Sequence, residues 1–181
     1  MQPHEYMQEI FSSFKKRDSK KLRKLNESIL REASLIYSKK LYHMATIAYV
    51  LSKIMAKPRF TERPYSEAIT RIENALAILV TCREECTDDE FRGHFAMLEE
   101  AIKSLDAEDP RFVIGLLTKG KLKVAATLYA QGMSLGMASE ITGIEKQEIL
   151  SYAGHTMMFD RIKEEKKVKD RLKALQELAG G

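Results

Sequence analysis

The stretch LYAQGMSLGMASEITGIEKQEIL, residues 128–150, decides how the C-terminal part of this chain folds. Upstream, Leu122, Ala125, Ala126, Leu128 and Tyr129 mark one helix, which Gly132 ends. Ser134 is placed to cap the next helix through its hydroxyl. In that helix Ala138 and Ser139 are small where two helices must cross closely, and Ile141 is apolar. Gly143 supplies the positive φ that a tight turn between helices demands. Ile144 is the plug after the turn, and Ile149 and Tyr152 continue the buried face of the following helix. A small residue, a glycine and apolar residues in this order are the sequence pattern of a helix-turn-helix, because several size constraints must be met at once.

In such a motif the N-terminal part of the second helix enters the major groove of DNA. The outward positions are Glu145, Lys146, Gln147, Ser151 and His155, with Ser134 beside them at the preceding cap. An ammonium such as that of Lys146 suits guanine or a phosphate, and an amide such as that of Gln147 suits adenine. Glu145 and Glu148 repel phosphate, although a glutamate can accept from cytosine. The basic segment that follows brings Lys163, Lys166 and Lys167 within reach of phosphates, which supply most non-specific affinity. Double-stranded DNA is therefore the first expected partner, and a protein surface is the alternative.

The same residues resemble a known family. Leu128, Tyr129, Gly132, Ser134, Leu135, Gly136, Ala138, Glu140, Ile141, Gly143, Ile144, Glu148 and Ile149 follow the pattern of small archaeal and cyanobacterial helix-turn-helix proteins regarded as antitoxins of PIN-domain toxins. The resemblance is confined to this stretch of the chain and implies a helix-turn-helix fold. It also implies DNA-binding regulation or pairing with a toxin. Residues 1–107 have no counterpart in those short proteins.

The whole chain reads as all-α. Of its 181 residues, 44% are hydrophobic and 31% charged, with only nine Gly and four Pro. The dominant residues favour helices, and Val, Thr and Trp are too scarce for an extensive sheet. Residues 3–16 pattern as a first helix, with Tyr6, Met7, Ile10, Phe11 and Phe14 on one face. A second helix spans about 20–38, capped by Ser19, with Leu22, Leu25, Ile29, Ala33 and Ile36 inward. A third follows over about 41–56. Pro64 opens a fourth that runs to Glu85. Thr87-Asp-Asp-Glu90 is a capping-box pattern that starts a fifth. Asp109 and Pro110 mark a boundary.

Three segments result. Residues 1–107 read as an antiparallel helical bundle, 108–156 as the helix-turn-helix module, and 157–181 as a long charged terminal helix. Ile162, Val168, Leu172, Leu175 and Leu178 would let that last helix pair with a second copy, so a homodimer is expected.

The net charge of +4 is compatible with nucleic acid without demanding it. The densest basic run is Lys15 to Lys24, read as a solvated junction, while residues 84–109 are acidic. No apolar run approaches the roughly 20 residues that span a bilayer. The expectation is a cytoplasmic protein without membrane contact. Cys82, Cys86 and His94 are the only residues that invite a metal. Placed on one continuous helix, the two cysteines would sit about 6 Å apart with side chains poorly aimed for a bridge. Buried free thiols, and neither a metal nor a cofactor, are expected from that placement. No phosphate loop, His-Glu-x-x-His run or nucleophile elbow occurs, so an enzyme is not expected. The functional expectation is a DNA-binding regulator, either antitoxin-like or transcriptional. The alternative is a non-enzymatic adaptor that binds a protein or ribonucleoprotein.

Overall fold

The computed structural model describes residues 2–82, 86–108 and 115–161. Among these residues there are nine α-helices, one 3-10 turn and no strand. The helices are α1 (Pro3–Lys15), α2 (Ser19–Ile36), α3 (Lys39–Met55), α4 (Ser66–Thr81), α5 (Asp88–Glu108), α6 (Leu116–Ala130), α7 (Leu135–Thr142), α8 (Lys146–His155) and α9 (Met158–Arg161), with the 3-10 turn at Pro58–Thr61. No helix of the described residues is long and apolar enough to cross a membrane. The chain divides into two compact units, residues 1–29 with 43–120, and residues 30–42 with 121–181.

In the first unit α1 and α5 both pack on α4, and so does the 3-10 turn. Pro3 occupies the first turn of α1, where its missing N–H costs nothing. Tyr6, Met7, Ile10 and Phe14 form the buried stripe of α1. Asp18, rather than Ser19, caps α2: its carboxylate accepts from the Lys21 amide at 2.8 Å. Ser19 is already the first helical residue, so its hydroxyl comes one position too late to cap. Asn26 is buried on α2 and donates its amide to the Ala45 carbonyl of α3 at 2.8 Å. From Met44 to Met55, α3 buries Met44, Ala45, Ile47, Ala48, Val50, Leu51, Ile54 and Met55. That is more than one stripe, as a helix surrounded by others requires.

Three further expectations are corrected. Ile36 ends α2 at 60% exposure instead of facing inward, because the helix stops there and Tyr37 turns left-handed at φ 54°. The fourth helix spans Ser66–Thr81, short of both expected ends. Before it, residues 62–65 form a turn in which the Tyr65 amide donates to the Glu62 carbonyl. At its far end Cys82 leaves the helical region with ψ 84°.

The box at the start of α5 forms as the pattern requires. The Thr87 amide donates to the Glu90 carboxylate at 2.9 Å, and the Glu90 amide donates to the Thr87 hydroxyl at 3.2 Å. Phe91, Phe95, Leu98, Ile102 and Leu105 then line the buried face of α5. The expected boundary at Asp109 and Pro110 lies outside the described residues. So do the terminal helix beyond Arg161 and the pairing stripe from Ile162 to Leu178.

Candidate nucleic-acid interface

Within the second unit the end of α6 leads into α7, α8 and α9. Helix α6 ends in a pair of backbone bonds that satisfy its last carbonyls: the Met133 amide donates to Leu128 and the Gly132 amide to Tyr129. This is the six-to-one and five-to-two pairing of a Schellman stop, with Gly132 left-handed at φ 98°. The two apolar residues that such a stop brings together, Leu128 and Met133, are both buried.

Ser134 then caps α7, its hydroxyl accepting from the Met137 amide at 3.2 Å. Gly143 closes α7 in the left-handed region at φ 68°, and its amide donates to the Ser139 carbonyl. The turn to α8 is held from both sides. The Ser139 hydroxyl donates to the Ile144 carbonyl at 2.8 Å, and the Ile144 amide reaches the Thr142 hydroxyl at 3.3 Å. Helices α7 and α8 pack on each other, and α9 packs on α8. Ala138, Ile149 and Ala153 are wholly buried, and Ile141 is nearly so. Burying one such isoleucine contributes roughly 1.5–3 kcal/mol, the main fixing force for so short a helix. Ile144, expected as the plug, is only half-buried. It belongs to the turn itself, so its backbone is tied while its side chain stays at the rim.

Tyr152 is half-buried, and burial pushes its phenol pKa above the usual tyrosine range. Tyr129 of α6 meets Phe159 of α9 edge to face, with ring centroids 5.2 Å apart. Met158 is buried beside it in sequence.

The residues expected to meet DNA are displayed, not buried. Ser134, Glu145, Lys146, Gln147, Ser151 and His155 are all exposed. A helix turns about 100° per residue, which puts Gln147, Ser151 and Gly154 opposite the buried Ile149 and Ala153. Glu145 is the cap position of α8, and its side chain accepts no capping bond. His155 closes on its own helix: its Nδ1 donates to the Ser151 carbonyl at 2.7 Å. The imidazole is thereby held at the C-terminal end of α8. Lys163, Lys166 and Lys167 lie outside the described residues.

The same surface carries features that the sequence pattern did not single out. Leu150, Met157 and Phe159 are exposed at 39%, 64% and 52%. They carry no signature beyond being apolar. Only the register of α8 and the left-handed Met157, φ 48°, turn them outward. Across α7 and α8 the exposed charges are the carboxylates of Glu140, Glu145 and Glu148 against the ammonium of Lys146.

A second cluster lies in the first unit, where α4 gives way to α5. Cys82 and Cys86 are joined as a disulfide, with their Cα atoms 5.2 Å apart. This overturns the expected free thiols. The helix ends at Thr81, so the cysteines do not share one helix and the objection from helical aim does not apply. His94 stands beside the pair, and the three potential ligand atoms lie within 4.8 Å of one another.

No family model, curated protein or solved structure matches the chain.

Proposed function

We propose that this protein is a DNA-binding regulator that uses α7 and α8 as a helix-turn-helix, with α8 as the recognition helix. The observation that carries this reading is the outward face of α8. Gln147 and Ser151 stand one turn apart, Gly154 continues the row, and the opposite face is buried. A carboxamide and a hydroxyl are hydrogen-bonding groups of the kind that read base edges. A glycine at the third position lets the helix backbone approach the groove closely, and open space surrounds the place where its Cβ would be. The capped entry at Ser134 and the tied turn at Gly143 hold the two helices in fixed register. The resemblance of residues 128–150 to antitoxin-like helix-turn-helix proteins supports the same reading.

Lys146, exposed at the first position of α8, is the phosphate or guanine contact, and the exposed Glu145 and Glu148 limit which sequences the helix tolerates. Lys163, Lys166 and Lys167 follow in the sequence as the supply of phosphate contacts. A homodimer would present two such helices to a two-fold site. The reading is tested by selecting bound sequences from a random pool of duplex DNA. Wild-type protein enriches a defined motif, and Gln147→Ala loses preference at one position of it. Enrichment of no motif by the full chain contradicts the proposal.

A second reading is favoured by the apolar residues Leu150, Met157 and Phe159 together with the excess of carboxylates on α7 and α8. Here the same two helices face a protein, and the chain acts as an adaptor. A stoichiometric partner that stays bound after nuclease treatment, and is lost with Leu150→Asp, distinguishes this reading from the first.

A further inference from the structure

The joint between α4 and α5 holds chemistry that DNA recognition does not use. Helix α4 stops at Thr81, and Cys82 turns the chain out of helical geometry. Cys86 lies just ahead of the Thr87–Glu90 box that starts α5. His94 is one helical turn beyond Glu90 on α5. Two sulfurs and an imidazole nitrogen thus converge from a helix end, a loop and a helix, all within 4.8 Å of one another.

His94 adds a separate observation. Its Nδ1 is buried and has no hydrogen-bond partner. A buried nitrogen left in that condition costs free energy that a ligand would recover. The neighbouring carboxylate of Glu90 is committed to the amide and hydroxyl of Thr87. All three residues of the cluster are half-buried, so an ion has access from solvent.

The geometry points to a thiophilic metal site at this joint: reduced Cys82 and Cys86, with His94, bind one zinc-class divalent cation, and the Cys82–Cys86 disulfide is the alternative state that excludes it. Thiolate sulfur with imidazole nitrogen is the donor set that zinc prefers over magnesium or calcium. Around a tetrahedral zinc, with bonds of about 2.0–2.3 Å, donor atoms stand roughly 3.5–3.8 Å apart. The observed cluster reaches that spacing by drawing His94 inward while the two sulfurs separate. Water takes the fourth position, which makes the ion exchangeable.

The two states differ by two electrons and two protons. A dithiol reductant opens the disulfide by exchange, becomes a cyclic disulfide itself, and leaves Cys82 and Cys86 as thiols. Metal binding then releases the thiol protons to the medium. Oxidation needs an acceptor of the peroxide class: two thiolates, one hydrogen peroxide and two protons give the disulfide and two waters, and the cation departs.

The test uses the full chain, reduced with excess dithiothreitol and freed of it by anaerobic gel filtration. Cobalt(II) alone is the spectroscopic probe. The expected result is saturation at one ion per chain, a thiolate-to-cobalt charge-transfer band, and displacement by zinc. The untreated disulfide form shows no band. His94→Gln, which removes a ligand outright, weakens cobalt binding by more than the roughly tenfold to hundredfold that the loss of an outer-shell partner costs. Cys82→Ser and Cys86→Ser each lower the charge-transfer intensity. Circular dichroism establishes that each variant is folded. A measurement without any variant stands beside these: zinc protects both thiols of the reduced wild-type chain from iodoacetamide. The proposal is overturned if the reduced chain gives no band, if His94→Gln binds as tightly as wild type, or if zinc leaves alkylation unchanged.

Discussion

The hydroxyl of Ser139 donates to the carbonyl of Ile144 at 2.8 Å, spanning the turn that Gly143 makes between α7 and α8. One side chain from the first helix thereby fixes the backbone that leads into the second. Gly143 is the other half of this device. Its φ of 68° lies where an L side chain is strained, while no atom lies within 4 Å of the place a Cβ would take. Gly143→Ala therefore costs about 1–2 kcal/mol through backbone conformation alone. Gly143→Asn costs less, because asparagine tolerates the left-handed region. Urea unfolding of both variants checks the order. Equal losses would show that something other than φ sets the cost.

Two helical glycines divide in sign. At Gly93 in α5 an added Cβ meets open space, and Gly93→Ala stabilises by about 0.5–1 kcal/mol through helix propensity. At Gly120 in α6 the same atom lands 2.8 Å from Cγ2 of Val50. Overpacking there costs typically 1–3 kcal/mol, which exceeds the propensity gain. Gly120→Ala is thus expected to lower the thermal midpoint and Gly93→Ala to raise it.

Asn26 donates to the Ala45 carbonyl from a buried position. Asn26→Ala loses that bond, at about 1–1.5 kcal/mol. Asn26→Asp sets a buried carboxylate against a carbonyl oxygen and costs more at neutral pH. Below the aspartate range the acid regains a proton to donate, so the gap between the two variants narrows. Denaturant midpoints at neutral and acidic pH read this directly.

Glu90 gives a pH dependence of defined sign. The Thr87 backbone amide, then the Thr87 hydroxyl, hold its carboxyl below the usual glutamate range, with a smaller contribution from His94. A carboxylate whose folded pKa is depressed stabilises the protein above its unfolded pKa. That contribution disappears as pH falls through the folded value. The thermal midpoints of wild type and Glu90→Gln should therefore differ at neutral pH and converge in acid. A gap that persists in acid would assign the effect to packing instead of charge.

The parts of the fold that sequence patterning makes legible are those whose determinants are local. Gly143 and Ser134 declare a turn and a cap within a few residues of where they act, and the buried stripe of α5 follows from helical spacing alone. The end of α4 is different. Residues 77–86, AILVTCREEC, contain neither Gly nor Pro, so helical periodicity continues on paper where the chain actually leaves the helix at Cys82. Cys82, Cys86 and His94 stand out by residue type, but their convergence depends on that departure, which the helical period does not show. Ile36 fails likewise: it keeps the helical period of α2 but sits at the last residue, where the chain turns away. On the candidate interface, Gln147 and Ser151 are legible as outward positions. Exposure of Leu150 and Phe159 is not, since apolar residues are assigned inward by default.

Whether α8 meets duplex DNA is read by fluorescence anisotropy of the full chain with a labelled duplex across a salt series. DNA recognition by α8 gives binding at low salt that weakens linearly on logarithmic axes, with a slope of about −0.9 for each phosphate contact. Lys146→Glu should weaken binding, and by more at low salt than at high. Absence of any duplex binding at low salt, or affinity that does not change with salt, would contradict it.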